Sequence, residues 1–385
     1  MVEVTEALPS IVIDNGSRFC KAGFSGEEGP RTVFPTLIGR SKSQYIEDDF
    51  FVGLEVKGKM SILNLTYPIE RGLINDWNAM EKILDYLFMT ELRVDPSEHN
   101  VMLTESFVNT KPKREKMAQI LFETFNVPGL YFSKTAPLSL YAAGKSTGLS
   151  VESGDSVTQF VPIFDGLMQS SSSIIMYLGG RDIDDYLIKL LNENNIFLTT
   201  PYEREIARDI KEKTCYVAFD FESEKSYYNG MSYEMPDGEV IKINDQRFRV
   251  PEILFHPEMC GKEVVSFNIN SFSEEKPVGI DKKCYDSINK SDIEYNVKRD
   301  LYQNIILSGG TTLFSGLPER LTKEVKYLVP ESMKNNVKVI ADPLRKYSIW
   351  IGGAYLSSLS TFKNMWITRD EYNEKGTSIV HEKCL

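Results

Sequence analysis

Two stretches of this 385-residue chain share one plan, and that plan restricts the folds open to it. The first, IVIDNGSR, occupies 11–18 and is followed by Lys21. The second, VESGDSVT, occupies 151–158. Each reads as an apolar strand, an acid, a small polar residue, a glycine, a polar residue and a second strand. Glycine lets the backbone turn with positive φ and approach a ligand closely. Successive N–H groups in such a turn form an anion-binding nest. A nearby carboxylate holds Mg²⁺, usually through water, and Lys21 adds a point charge for phosphate. Two such turns facing each other would grip a nucleoside triphosphate. Two ordinary hairpins are the alternative, because acid-x-Gly is a common turn sequence. Either way, the repeat points to an old duplication of one α/β unit.

A third segment, IILSGGTT at 305–312, reads as a buried strand meeting a tight Gly309-Gly310 loop that can lie flat against a nucleoside. In this order and spacing the three segments resemble the actin family, within the superfamily it shares with Hsp70-type chaperones and sugar kinases. The resemblance runs from Ile11 to the last residue. It includes REKMAQILFETFNVP at 114–128, REIARDIKEK at 204–213, RKYSIWIGG at 345–353, MWIT at 365–368 and the tail SIVHEKCL at 378–385. It implies an α/β, actin-like ATPase fold, with two lobes of duplicated α/β units around a nucleotide cleft. The first lobe would span 1–143 plus 345–385, with a small subdomain at about 40–72. The second would span 144–344, with a small subdomain at about 180–256.

The same resemblance distributes roles residue by residue. Gly16, Ser17, Arg18, Phe19 and Lys21 fall on the first phosphate loop, and Gly154, Asp155, Ser156 and Val157 on the second. Asp14 and Glu152 take the positions that face hydrated Mg²⁺. Gly180, Arg181, Lys211, Glu212, Gly309, Gly310, Thr311, Leu313, Phe314 and Lys346 match positions around the ribose and adenine of ATP or ADP. Read without the family, Lys211 and Glu212 are a pair of charges on an exposed helix face.

The departures fall on the chemistry. Arg18 and Ser156 stand where the family usually has glycine, adding side chains where backbone would approach phosphate. Arg18 is open to three readings: a guanidinium contact to phosphate, a solvent-facing side chain, or crowding of the pocket. Glu152 replaces the usual Asp and is one methylene longer. In actin a Gln positions the attacking water and a His helps with its proton; the matching residues here are Thr135 and Gln159. Thr135 has the shorter reach, and Gln159 is no base near neutral pH. Loss of a positioned proton acceptor typically costs about 10²–10⁴ in rate, so no catalytic residue is intact on this reading and the chain is at most a weak ATPase. The competing reading has Gln159 orienting water from the other side.

Assembly surfaces change as well. The loop at 41–50 is several residues shorter than actin's and mostly polar or acidic, with Tyr45 and Ile46 as its only apolar tip. After HPEMCG at 256–261 the chain inserts 262–277, whose apolar part, VVSFNI at 264–269, packs locally as a strand, presents a new contact, or belongs to a surface loop. Near the start only Glu3 and Glu6 remain of the acidic cluster that actin offers to myosin. The family's cleft for binding proteins is better kept, in Tyr141, Gly144, Gly166, Ile351, Leu356, Leu359, Thr361 and Met365, with Tyr355 and Leu167 altering its shape.

Composition narrows the rest. A net charge of −11 argues against direct nucleic-acid binding. Five scattered cysteines and three histidines leave zinc unlikely to be bound and fit reduced thiols. No signal peptide is read at the start, and no run of about 18 apolar residues offers a membrane span. Helices are expected from Asp76 and Pro112, another starting at Asp182, and solvated loops at 223–225 and 273–277. The expected function is a divergent actin-like protein of the cytoplasm and cytoskeleton. It binds Mg-ATP or Mg-ADP and acts through other actin-family or actin-binding proteins, and it polymerises poorly by itself. A filament-forming divergent actin with slow ATPase, and a nuclear actin-related subunit of a chromatin-remodelling complex, are the alternatives. A sugar kinase needs a catalytic Asp in an inserted pocket, and a chaperone a further substrate-binding domain; neither is seen.

Overall fold

The computed structural model describes residues 8–42, 50–270, 274–275, 277–290 and 294–384. Glu3, Glu6, Tyr45 and Ile46 therefore lie outside the described residues, as does most of the loop at 41–50. The chain divides into two compact units, Met1–Gly144 with Tyr347–Leu385, and Lys145–Lys346.

The first unit is built on a mixed sheet. Its central strand, Ile11–Asn15, pairs antiparallel with Phe19–Phe24 and parallel with Val101–Glu105. Phe19–Phe24 continues to Thr32–Pro35, and Val101–Glu105 to Gly129–Lys134 and Ile367–Thr368. Ile11, Val12 and Ile13 are all fully buried, as a continuous apolar run requires when helices cover both faces. On one face Trp350 and Ala354, from helix Ser348–Ser358, pack on Val12 and Met102. The Trp350 indole donates to the Val12 carbonyl at 2.9 Å. Gly353 permits this approach, since a Cβ there would lie 2.9 Å from Val12 Cγ1. On the other face sits helix Trp77–Asp85, capped by the Asp76 carboxylate on the Ala79 N–H at 2.9 Å.

The second unit repeats the plan. Gly148–Ser153 pairs antiparallel with Thr158–Phe164 and parallel with Ile305–Ser308. Thr158–Phe164 leads to Ile174–Met176, and Ile305–Ser308 to Val339–Ile340. In both units a three-strand antiparallel run is followed, beside its first strand, by two parallel strands. The order of strands, and not only the two turn sequences, is duplicated. Each unit also carries a small sheet: Ile38–Ser41 with Phe50–Val52 and Leu63–Thr66 in the first, Met231–Glu234 with Val240–Ile243 in the second.

The insertion at 262–277 joins the second unit's sheet. Ser266–Asn268 pairs with Ile174–Met176, its three residues are buried, and Glu274–Glu275 adds an outer pairing. Lys262 anchors the approach on Asp182 and Asp185, at 3.0 and 2.9 Å. Two local expectations change. Residues 223–225 lie in helix Phe221–Tyr227, because Asp220 caps it on the Ser223 N–H at 3.0 Å. The helix expected from Asp182 begins earlier, at Gly180, with the Asp182 carboxylate accepting the Gly179 N–H at 2.9 Å.

Candidate functional site

Both acid-x-Gly turns close antiparallel hairpins, and they close them the same way. Asn15 pairs with Cys20, and Ser153 with Thr158. The Gly16 N–H donates to the Phe19 carbonyl at 3.2 Å, and the Gly154 N–H to the Val157 carbonyl at 3.0 Å. Neither glycine has positive φ, contrary to the expectation from the turn sequence. At Gly16 the constraint is space, because a Cβ would lie 2.9 Å from the Phe19 oxygen.

In the first unit, Asp14 and Lys21 face each other across the ladder and form an ion pair at 2.7 Å. The Thr104 hydroxyl donates to the other Asp14 oxygen at 2.8 Å. Lys21 thus holds the proposed metal-facing carboxylate as well as standing by the loop. Thr36 fastens the turn, its hydroxyl donating to the Gly16 carbonyl at 2.9 Å and its N–H to the Arg18 carbonyl at 2.9 Å. The Arg18 guanidinium stacks over Tyr67 at 5.3 Å and lies 6.0 Å from the Phe19 ring. Tyr67 packs on the core of the small sheet, so Arg18 ties the turn to that sheet. Thr135 is buried and opens helix Thr135–Ala142 directly after Lys134. Lys134 and Arg114 both pair with buried Glu105. Burial pushes the Glu105 carboxyl up, but these two cations outweigh it and leave it below the ordinary value.

In the second unit several expected residues converge. The Gly154 carbonyl accepts the Gly180 N–H at 2.9 Å and the Thr311 hydroxyl at 2.7 Å. The Asp155 carbonyl accepts the Arg181 N–H at 2.8 Å, and the two side chains approach to 3.4 Å. Buried Ser156 donates to Asp155 at 3.4 Å. Gly309 has φ +86, and a Cβ on it would lie 2.3 Å from the Ser153 carbonyl oxygen. The third segment therefore packs against the second turn through a position that needs glycine. Gly310 and Gly154 have room around them, with nothing nearer a Cβ than 3.8 Å.

Lys211 is 6% exposed, pairing with Asp184 at 2.7 Å and donating to the Gly180 carbonyl at 3.0 Å. Its neighbour Glu212 has a side chain 61% exposed beside Arg208. Leu313 is exposed, Phe314 buried and Lys346 half-buried. Sequence reasoning missed Thr36, Tyr67, Thr104 and Asp184, which only strand register and helix packing bring to the turns and no local motif marks; it met Asp182 as a helix start and Ser308 within the third segment but gave neither a role at the site.

Two buried polar atoms at these turns have no hydrogen-bond partner among the described residues: Asn15 Oδ1, beside Gly16, and Ser308 Oγ, beside Gly309. Orphaned buried polar atoms beside these turns fit a polar ligand. The acidic oxygens of Asp14 and Glu152 are hard donors of the kind Mg²⁺ takes, with several waters retained. Among the described residues no group of three or more His, Cys, Asp or Glu is placed to hold a metal ion directly. No helix among them is long and apolar enough to cross a membrane.

These features define an α/β protein with a repeated sheet order, each repeat opened by an acid-x-Gly hairpin. A family model described as Actin matches residues 5–385. The chain belongs to the actin family and has an actin-like fold.

Proposed function

We propose that this chain is an actin-like protein that binds ATP or ADP with Mg²⁺, turns the nucleotide over slowly or not at all, and works through contacts with other proteins of the cytoskeleton. The observation that carries this reading is the pair of hairpin turns with matching hydrogen bonds, each beside an orphaned buried polar atom. Binding of ATP or ADP with Mg²⁺ is typical of the family.

In this reading N–H groups of residues 17–19 and 155–157 contact phosphate, those of Gly16 and Gly154 being used to close the turns, with Arg18 and Lys21 supplying positive charge. Gly180, Arg181, Lys211, Gly309, Gly310, Thr311, Leu313, Phe314 and Lys346 serve the nucleoside; Glu212 is the weakest member of that set because its side chain is exposed. Asp14 and Glu152 would hold hydrated Mg²⁺, which when bound neutralises phosphate charge. Slow turnover follows from Thr135 and Gln159, neither of which accepts a proton near neutral pH. The lobe boundaries proposed from sequence, near 144 and 345, go with this reading.

Poor self-assembly is supported by the polar loop at 41–50 and by the insertion, which extends the edge of the second unit's sheet. Each apolar side chain missing from a contact forfeits about 1.5–3 kcal/mol of burial, and a filament repeats that loss at every subunit. The test pairs phosphate release with sedimentation in Mg²⁺, salt and ATP, with ordinary actin alongside. Little release and no pellet are expected. Release at actin's rate, or a pellet of two-stranded filaments by electron microscopy, refutes the corresponding half.

A further inference from the structure

The second turn carries a polar row that its sequence does not announce. Glu152 stands directly opposite Gln159 in the antiparallel ladder and beside Ser308 in the parallel one. Side chains directly opposite in a sheet share a face with Cβ atoms about 4.5–5.5 Å apart. Gln159, Glu152 and Ser308 therefore form one row at the end of the sheet that bears the turn. Gln159 is 1% exposed, and its amide Nε2 donates to Glu152 Oε2 at 2.5 Å. A hydrogen bond to an ionised acceptor is shorter and roughly twice as strong as a neutral one. One step nearer the turn, the Ser153 and Thr158 hydroxyls bond at 2.8 Å, and Thr158 continues to the Leu178 carbonyl at 2.7 Å. These bonds fix the strands beneath Glu152, and the Gln159 amide is the contact that orients its carboxylate. On the far side, Ser308 Oγ is buried and without a protein partner among the described residues.

We infer that Gln159 is a positioning residue that aims the Glu152 carboxylate at a hydrated divalent cation, with Ser308 offering a hydrogen bond to that cation's water. The inference rests on the nucleotide-binding reading above and gives its metal side a second layer. Both residues differ from those the resemblance to actin leads one to expect, and they stand directly opposite each other in the ladder. Glu152 is a methylene longer than the usual Asp, and an amide directly opposite fixes where the extra length goes.

The test uses the full chain with ATP held constant, reading the Mg²⁺ concentration that gives half-maximal rise in melting temperature. Gln159→Met keeps the side chain's length and removes the donor, and it should raise the midpoint about 10–100-fold, the usual cost of losing a hydrogen bond behind a metal-facing group. A merely structural role would shift the melting temperature without ligand and leave the midpoint alone. An unchanged midpoint in Gln159→Met overturns the inference while the nucleotide reading stands. A wild-type chain that Mg-ATP does not stabilise overturns the nucleotide reading itself, and this inference with it.

Discussion

Gly309 is the position where the second turn is most exposed to a single methyl group. Its backbone sits at φ 86 and ψ 155, a region that only glycine occupies without strain. A Cβ would also fall 2.3 Å from the Ser153 carbonyl oxygen, closer than real contacts allow. Gly309→Ala must therefore either strain residue 309 or push Ser153 away, and Ser153 leads directly into Gly154. Such a conformer costs about 1–3 kcal/mol. For a unit of this size about 2 kcal/mol lowers the melting temperature by roughly 4–8 °C. Gly310→Ala is the internal control, because its φ is not positive and a Cβ there meets nothing within 4 Å. It should change stability by no more than about 0.5 kcal/mol. The assay is thermal melting of wild type and both variants, without nucleotide and with Mg-ATP. Gly309→Ala should melt lower and gain less from Mg-ATP, whereas Gly310→Ala should match wild type without nucleotide. Equal melting of the two variants would refute the assignment of the strain to Gly309, and an undiminished Mg-ATP response in a destabilised Gly309→Ala would refute its link to the turn.

Glu105→Gln should cost about 3 kcal/mol near neutral pH, because it leaves Arg114 and Lys134 facing each other without their shared anion. The folded carboxyl lies below its ordinary 4.5, so this stabilisation is complete above that value and is lost as pH falls through the lowered one; denaturant melts should show the variant's deficit shrinking in acid, and a constant deficit would contradict the pairing. All five thiols are buried and free of disulfides, and burial pushes Cys215 up to about 12 and Cys384 up to about 11, so a thiol reagent near pH 8 should label the native chain slowly and all five on unfolding. Rapid native labelling of several thiols would contradict that packing.

The sheets were legible where the code is local. Ile11–Ile13 and Ile305–Leu307 are continuous apolar runs that end in turn residues, and Asp76 precedes a helix as its cap. The paired turns implied a duplication, and the shared strand order carries it through both sheets. What lay hidden depends on partners distant in sequence. Which glycine needs positive φ is decided by the Ser153 carbonyl against Gly309, not by the turn motif around Gly154. Lys21 read as a phosphate ligand, but ladder register places it on Asp14, and Thr104 reaches that carboxylate from a strand ninety residues on. The Arg18 guanidinium lies over Tyr67, a neighbour that the turn sequence does not show. The VVSFNI segment gave no sign of its partner, because an edge strand's pairing depends on which edge is vacant.

The central proposal is that the chain binds a nucleotide with Mg²⁺, and ligand linkage measures this directly. A ligand at about 100 times its Kd stabilises the folded chain by about 2.7 kcal/mol. The melting temperature should rise with millimolar ATP and Mg²⁺, fall back when EDTA is added, and rise less in Lys21→Ala, which removes a positive charge from the first turn and leaves Asp14 without its ion pair. No rise across millimolar Mg-ATP would contradict the account at its base.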